Sequence, residues 1–266
     1  MARKPKTAFR GTNGPPENRW RNDGWWTSTF AFAAPFVLYL RTMAPTIYNL
    51  DSAELTTAAA TGGLVRATGY PLYLVIGRLW SQLPMGDVGY RMNLLSAVCG
   101  ALTVMLAERI LRRLGVGVWA RLAAVGLLAV AQFFWALSLI AEVYTLHTAI
   151  LAGVILALVR WSEQPTPGRL GLATFLVGIG FGNHVATVLA APACVWFVLN
   201  AHPKKALEPR SLALATVGLA AGLAIYLYLP LVYWTRPEFN YVGWFNAAGQ
   251  FEPCLLYTSP SPRDEL

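Results

Sequence analysis

Charge is what this sequence has least of. Asp, Glu, Lys and Arg make up 13% of its 266 residues, where a soluble domain carries roughly 25%. Hydrophobic residues make up 56% and the mean hydropathy is +0.46, which reads as an integral membrane protein. Acids are scarcer than bases, 13 against 21, giving a net charge of +8. The bases form no single stripe, so nucleic acid is not an expected partner. They cluster between apolar stretches, where Lys and Arg set membrane orientation. Three cysteines exclude a disulfide framework. Cys99 and Cys194 lie in apolar stretches and pack as small hydrophobes. No Cys/His zinc spacing, Ser/His/Asp constellation or internal repeat is visible. The glycines at 178, 180 and 182 lack the strand–helix context of a nucleotide loop and read as sites of close helix packing.

Three regions follow from this pattern. Residues 1–25 are polar and basic, read as a cytoplasmic tail, with no signal-peptide cleavage pattern. Residues 26–253 form the membrane domain. Residues 254–266 look like translated sequencing-adapter sequence, so the natural chain is expected to continue past Pro253. The fold class expected is all-α, a polytopic membrane helix bundle. About seven spans are predicted: 26–43, 92–110, 118–140, 144–161, two short helices within 170–200 that meet at Asn183-His184, and 212–234. The segments 53–60 and 70–83 read as interfacial or re-entrant helices. Positive-inside logic puts the N-terminus in the cytoplasm. It gathers Asp51, Glu54, Glu142, Tyr144, Asn183, His184, Arg236 and Glu238 at the outer face. A bacterial inner membrane is the expected location.

The chemistry centres on Asp51 and Glu54, just after the first apolar span. Acids there are costly unless they face water, a cation or a polar ligand. Three residues apart on a helix, both carboxylates share one face. The competing reading is a helix cap, Asp51 as N-cap with Glu54 closing a capping box.

At this point the sequence resembles a family. Asp51-Ser52-Ala53-Glu54, Thr68-Gly69-Tyr70-Pro71-Leu72-Tyr73 with Gly77-Arg78, Arg91-Met92-Asn93-Leu94-Leu95-Ser96-Ala97, and Glu142-Val143-Tyr144-Thr145-Leu146-His147 are similar to the membrane-protein family DUF2723 and to transmembrane protein 260-type protein O-mannosyltransferases. The resemblance implies a GT-C glycosyltransferase with a polyprenyl-phosphate sugar donor, possessing an extracytoplasmic active site. The implied partners are that donor, a protein or glycan acceptor and membrane lipid. Where the family usually has His-Pro before the Gly-Tyr-Pro turn, this chain has Arg66-Ala67. A cation is kept and an imidazole is lost.

Sugar transfer from a lipid phosphate needs a base for the acceptor hydroxyl and a cation or metal for the leaving phosphate. Asp51 is the first choice of base, with Glu54 as supporting acid or metal ligand; a divalent metal ion is a candidate cofactor. Arg66, Arg78 and Arg91 are candidates for the donor phosphate, with interfacial snorkelling as the plainer reading. Tyr70, Glu142, Tyr144 and His184 are candidate substrate-binding residues, and His147 a weaker one. His184 with Asn183 could equally be a water-exposed turn. The rival functions are a transporter, whose charges belong near the midplane, and a non-catalytic membrane protein.

Overall fold

The computed structural model describes residues 24–49, 51–66, 68–235, 237–240, 243–245 and 250–253. The expectations for most of the basic tail, for Arg236 and for the adapter-like ending lie outside them. The described chain is helical apart from one small antiparallel hairpin, β1 (Gly243–Phe245) with β2 (Phe251–Pro253).

The first helix, α1 (Gly24–Thr42), leads through an irregular stretch into α2 (Asp51–Thr61) and α3 (Pro71–Trp80). Next comes α4 (Val88–Arg113), whose start is fixed by Asp87. The Asp87 carboxylate accepts the Tyr90 N–H at 2.7 Å and the Thr46 hydroxyl at 2.6 Å. The hydroxyl bond first, and then the N–H, hold the Asp87 carboxyl below its usual range. At the other end of α4, Arg112 and Arg113 complement the helix dipole. After α5 (Val118–Val130) and the short α6 (Gln132–Leu137) comes α7 (Val143–Glu163). It runs alongside α4 in the same direction. The two are tied by the Glu142 N–H to Ser96 Oγ (3.2 Å), by Thr103 with Thr148 (3.1 Å), and by an Arg113–Glu163 ion pair.

The chain then climbs α8 (Pro167–Phe181), turns at Asn183-His184 and descends through a 3-10 turn (Val185–Ala190) into α9 (Ala191–Ala201). This is the two-helix arrangement expected from the glycine-rich break. It puts Lys204 and Lys205, on α10 (Pro203–Ala206), at the Glu163 end, where the His202 ring bonds the Ser162 carbonyl at 2.8 Å. The chain rises again through α11 (Pro209–Leu223), a 3-10 turn and α12 (Tyr228–Trp234). Glycine lets α8 and α11 cross at backbone contact. A Cβ on Gly218 would lie 2.2 Å from the Gly171 carbonyl oxygen, and one on Gly222 2.5 Å from that of Phe175. The expectation of close packing holds at Gly178 too, where a Cβ would meet the Leu219 carbonyl at 2.5 Å.

The expectation of about seven spans is corrected. Among the described residues three helices are long and apolar enough to cross a membrane: Val88–Arg113, Val143–Glu163 and Pro209–Trp234. The predicted span at 118–140 breaks at Ala131, whose extended backbone (φ −59°, ψ 127°) ends α5 after 13 residues. Helices Val118–Val130, Pro167–Phe181 and Val185–Ala201 are apolar but shorter. Polar Thr27, Ser28, Thr29 and Arg41 dilute α1. Thr27 and Ser28 are buried, and Ser28 donates to Glu108 Oε2 at 2.8 Å. Arg121 Nε donates to the other oxygen of Glu108 at 3.0 Å. This buried ion pair joins α1, α4 and α5.

Beneath the acids lies the largest buried cluster. It includes Leu55, Ala58 and Ala59 of α2, Leu72, Tyr73 and Leu74 of α3, Met92 and Leu95 of α4, and Val143 and Leu146 of α7. The cluster fixes the relative positions of the four elements that carry the site.

Candidate active site

Asp51 and Glu54 lie in the first turn of α2, and both meet Arg66 on the loop between α2 and α3. Arg66 Nη2 pairs with Asp51 Oδ2. Its Nη1 stands 3.5 Å from Glu54 Oε2, and its backbone N–H donates to Glu54 Oε1 at 2.9 Å. Glu54 therefore closes no capping box, because its bonds go to a residue 12 positions on. The Asp51 hydrogen bond pushes the Arg66 proton affinity up, against a smaller opposing effect of burial. One planar guanidinium reaching two carboxylates is a task an imidazole cannot copy in the same geometry. The Asp51 and Arg66 side chains are 37% and 32% exposed and Glu54 11%, so the pair is open to a ligand and its support is covered.

Glu142 is the third acid. It stands at the N-cap position of α7 without a side-chain capping bond, and Ser96 of α4 bonds its backbone on both sides. Burial first, and then the charge of Asp51, push its carboxyl from 4.5 up to about 7. The Val143 N–H and Arg66 pull the other way. Asp51, Arg66 and Glu142 thus share one electrostatic site.

Aromatic rings form its other wall. The His184 ring lies 6.0 Å from Tyr70, stacked, 5.5 Å from Tyr144 and 5.3 Å from His147. His184 Nδ1 accepts the Ala186 N–H at 3.1 Å, which leaves Nε2 to carry the proton of the neutral ring. Tyr70 is held at φ 39°, ψ 49°, the left-handed region, just after Gly69 at φ 80°. A side chain there costs about 1–2 kcal/mol. Leu229 packs against Gly69, where a Cβ would come within 2.8 Å of it, and the Leu72 N–H bonds the Gly182 carbonyl at 2.9 Å. These contacts lock the turn and aim the Tyr70 ring at His184.

The other expectations divide. The structure brings Asp51, Glu54, Arg66, Tyr70, Glu142, Tyr144 and His184 together. Arg78 and Arg91 are bonded elsewhere. Arg78 holds the Ala60 carbonyl at the end of α2, and Arg91 bonds the carbonyls of Met85 (2.7 Å) and Gly86 (2.9 Å). In the same motif Asn93 bonds the Ala44 and Thr46 carbonyls, each at 2.9 Å. These side chains shape the loops around the site. Asn183 is no exposed tip: it is fully buried and donates to the Val143 carbonyl at 3.0 Å. The sequence reading missed Ser96 as the holder of Glu142, and it missed the backbone contact of Phe239, beside the Glu238 it had placed at this face. The Phe239 carbonyl accepts the Leu64 N–H at 2.9 Å, covering the α2–α3 loop.

Among the described residues no three His, Cys, Asp or Glu side chains are placed to hold a metal ion. The positive charge between Asp51 and Glu54 is supplied by Arg66. This donor set does not fit a divalent ion.

A helical membrane protein with a carboxylate–arginine cluster and a ring wall at one end of its bundle is the class this fold and site define. Residues 51–207 match the family model described as the protein O-mannosyl-transferase TMEM260 N-terminal domain. The chain belongs to this family. The mouse protein O-mannosyl-transferase TMEM260 is 29% identical over 233 residues, covering 84% of this chain and 33% of its own length. The Dictyostelium discoideum protein O-mannosyl-transferase tmem260 is 23% identical over 241 residues, 82% of this chain and 28% of its own. The chain therefore spans about a third of the curated relatives it matches. Both are eukaryotic, which leaves the expectation of a bacterial membrane without support. No solved structure matches.

Proposed function

We propose that this chain carries the acid–arginine site of a GT-C type membrane glycosyltransferase. It moves a sugar, mannose by analogy with the named relatives, from a polyprenyl-phosphate donor to a protein or glycan hydroxyl at the extracytoplasmic face. The N-terminus is cytoplasmic in this reading. The observation that carries it is the Arg66 guanidinium held between Asp51 and Glu54 beside Glu142.

In the transfer step the acceptor hydroxyl gives its proton to the Asp51 carboxylate. Its oxygen forms a bond to the sugar's anomeric carbon. The bond from that carbon to the phosphate oxygen breaks, and the electron pair leaves with the lipid phosphate. Arg66 faces the leaving charge, and the His184 Nε2–H is a second donor for it. Glu142, with its carboxyl near 7, lies within electrostatic range of Asp51, so its protonation changes the net charge of the site.

A lipid donor suits the surroundings. Below His147 an apolar groove of about 320 Å³, lined by Leu151, Ile155, Leu158, Ala190, Cys194 and Phe197, runs between α7 and α9. It shares Leu151 and Ala190 with the small cavity that touches His147. The transporter reading is served less well, because the acids gather at one end of the bundle. Reconstituted full-length protein separates the two. Sugar transfer that depends on the lipid donor is expected. Solute flux through proteoliposomes without transfer would overturn the enzyme reading.

A further inference from the structure

A polar cavity lies at the opposite end of the bundle from the acids, where α4 and α7 end and α8 begins. Its volume is about 480 Å³. One half is rimmed by Arg113, Arg160 and Arg169, with Glu163 and Gln164 between them. Arg113 is paired with Glu163. Arg169 donates to the Arg160 carbonyl at 2.8 Å and to Gln164 Oε1 at 2.7 Å. The guanidinium of Arg160 makes no hydrogen bond or ion pair among the described residues, yet it stands within electrostatic range of Arg109, Arg113 and Arg169. The Nε of Arg109 is itself buried without a partner. Glu163 attracts Arg160, but four arginines stand against that one glutamate, and an anion at the partly exposed rim would offset the excess of positive charge.

The other half of the cavity is apolar. Gly153, Leu156 and Ala157 continue up α7 from Arg160, and Leu172 and Leu176 face them from α8. A soluble anion would have no use for this slot. A lipid would place its headgroup at the arginines and an acyl chain along the leucines.

We propose that this cavity binds an anionic glycerophospholipid, with its phosphate on Arg160 and Arg169. Basic pockets between membrane helices hold lipid headgroups in this way. The site is separate from the acids at Asp51, and it stands whether or not the transfer reading does.

The test uses the purified chain in neutral detergent, with phosphatidylglycerol, phosphatidylcholine and inorganic phosphate as probes. Binding is read by native mass spectrometry and by the thermal unfolding midpoint. Phosphatidylglycerol is expected to stay bound and raise the midpoint, and phosphatidylcholine and inorganic phosphate to do neither. Arg160→Gln breaks no bond within the protein and is expected to weaken phosphatidylglycerol binding about fivefold, the attraction of one arginine for an anionic lipid surface. Arg160→Lys should restore most of it. Gly153→Leu fills the apolar slot, where a Cβ has room 3.8 Å from Leu176, and should weaken lipid binding with the arginines intact. Equal binding of both lipids would overturn the proposal. So would equal protection by inorganic phosphate, or the same loss from Lys204→Gln, which lies outside the cavity.

Discussion

At the scale of the residue, the balance at the site depends on Arg66. Removing its charge leaves Asp51, Glu54 and Glu142 facing one another, and like charges in a partly buried site force one to keep its proton. Arg66→Ala is expected to weaken lipid-donor binding, read from the KM for the donor. It should cost only about 1 kcal/mol of stability, because the pair is partly solvated. Glu142 gives a pH test. Its carboxyl is raised in the folded chain, from 4.5 to about 7, so between those values the folded state holds the proton and the unfolded state does not. Its contribution to stability is full below about 4.5, is lost as pH rises to about 7, and changes no further above that. Glu142→Gln is expected to flatten this window in unfolding measurements from pH 4 to 8. An unchanged profile would show that Glu142 is solvated. The pairing of Asp51 with Glu54 was legible in the sequence because three residues make most of a helical turn. The Arg66 contact was not, since it depends on how the α2–α3 loop folds back. Nothing local marked Arg78 and Arg91 as holders of carbonyls, because an arginine near a membrane edge looks the same whether it binds a phosphate or a loop.

At the scale of the element, two devices hold the bundle. Glu108 and Arg121 are 0% and 2% exposed at their side chains. Glu108→Ala strands a buried guanidinium and is expected to lower stability by about 3–5 kcal/mol. Replacing both residues by apolar ones should recover much of that, and equal losses in the single and double variants would contradict it. The second device is the glycine crossing of α8 and α11. Gly218→Leu forces a side chain against the Gly171 carbonyl and is expected to cost about 2 kcal/mol or more, read as a lower unfolding midpoint in detergent. Helix existence was legible from apolar runs, and the turn at Asn183 from its glycines. The count of full spans was not, since the break at Ala131 carries neither Pro nor Gly and comes from backbone conformation alone. The burial of Asn183 was hidden for a similar reason: its partner is a backbone carbonyl on α7.

For the whole molecule, the acids and rings lie at one end and the arginine-rich cavity at the other, with α4 and α7 running between them. Cysteines placed at Thr57 and Arg113 should therefore label from opposite membrane faces; labelling from one face would contradict this polarity. The sequence analysis expects the same sidedness from basic residues between spans, and this labelling tests it. The central claim is that the acid pair takes part in the transfer, and Asp51→Asn tests it most directly. The amide keeps the shape of the side chain and removes the base and its charge. In a full-length family protein carrying this segment, donor-dependent transfer is expected to fall by at least roughly a hundredfold, with folding and donor binding largely kept. Transfer by Asp51→Asn at the wild-type rate would show that Asp51 only holds Arg66 in place.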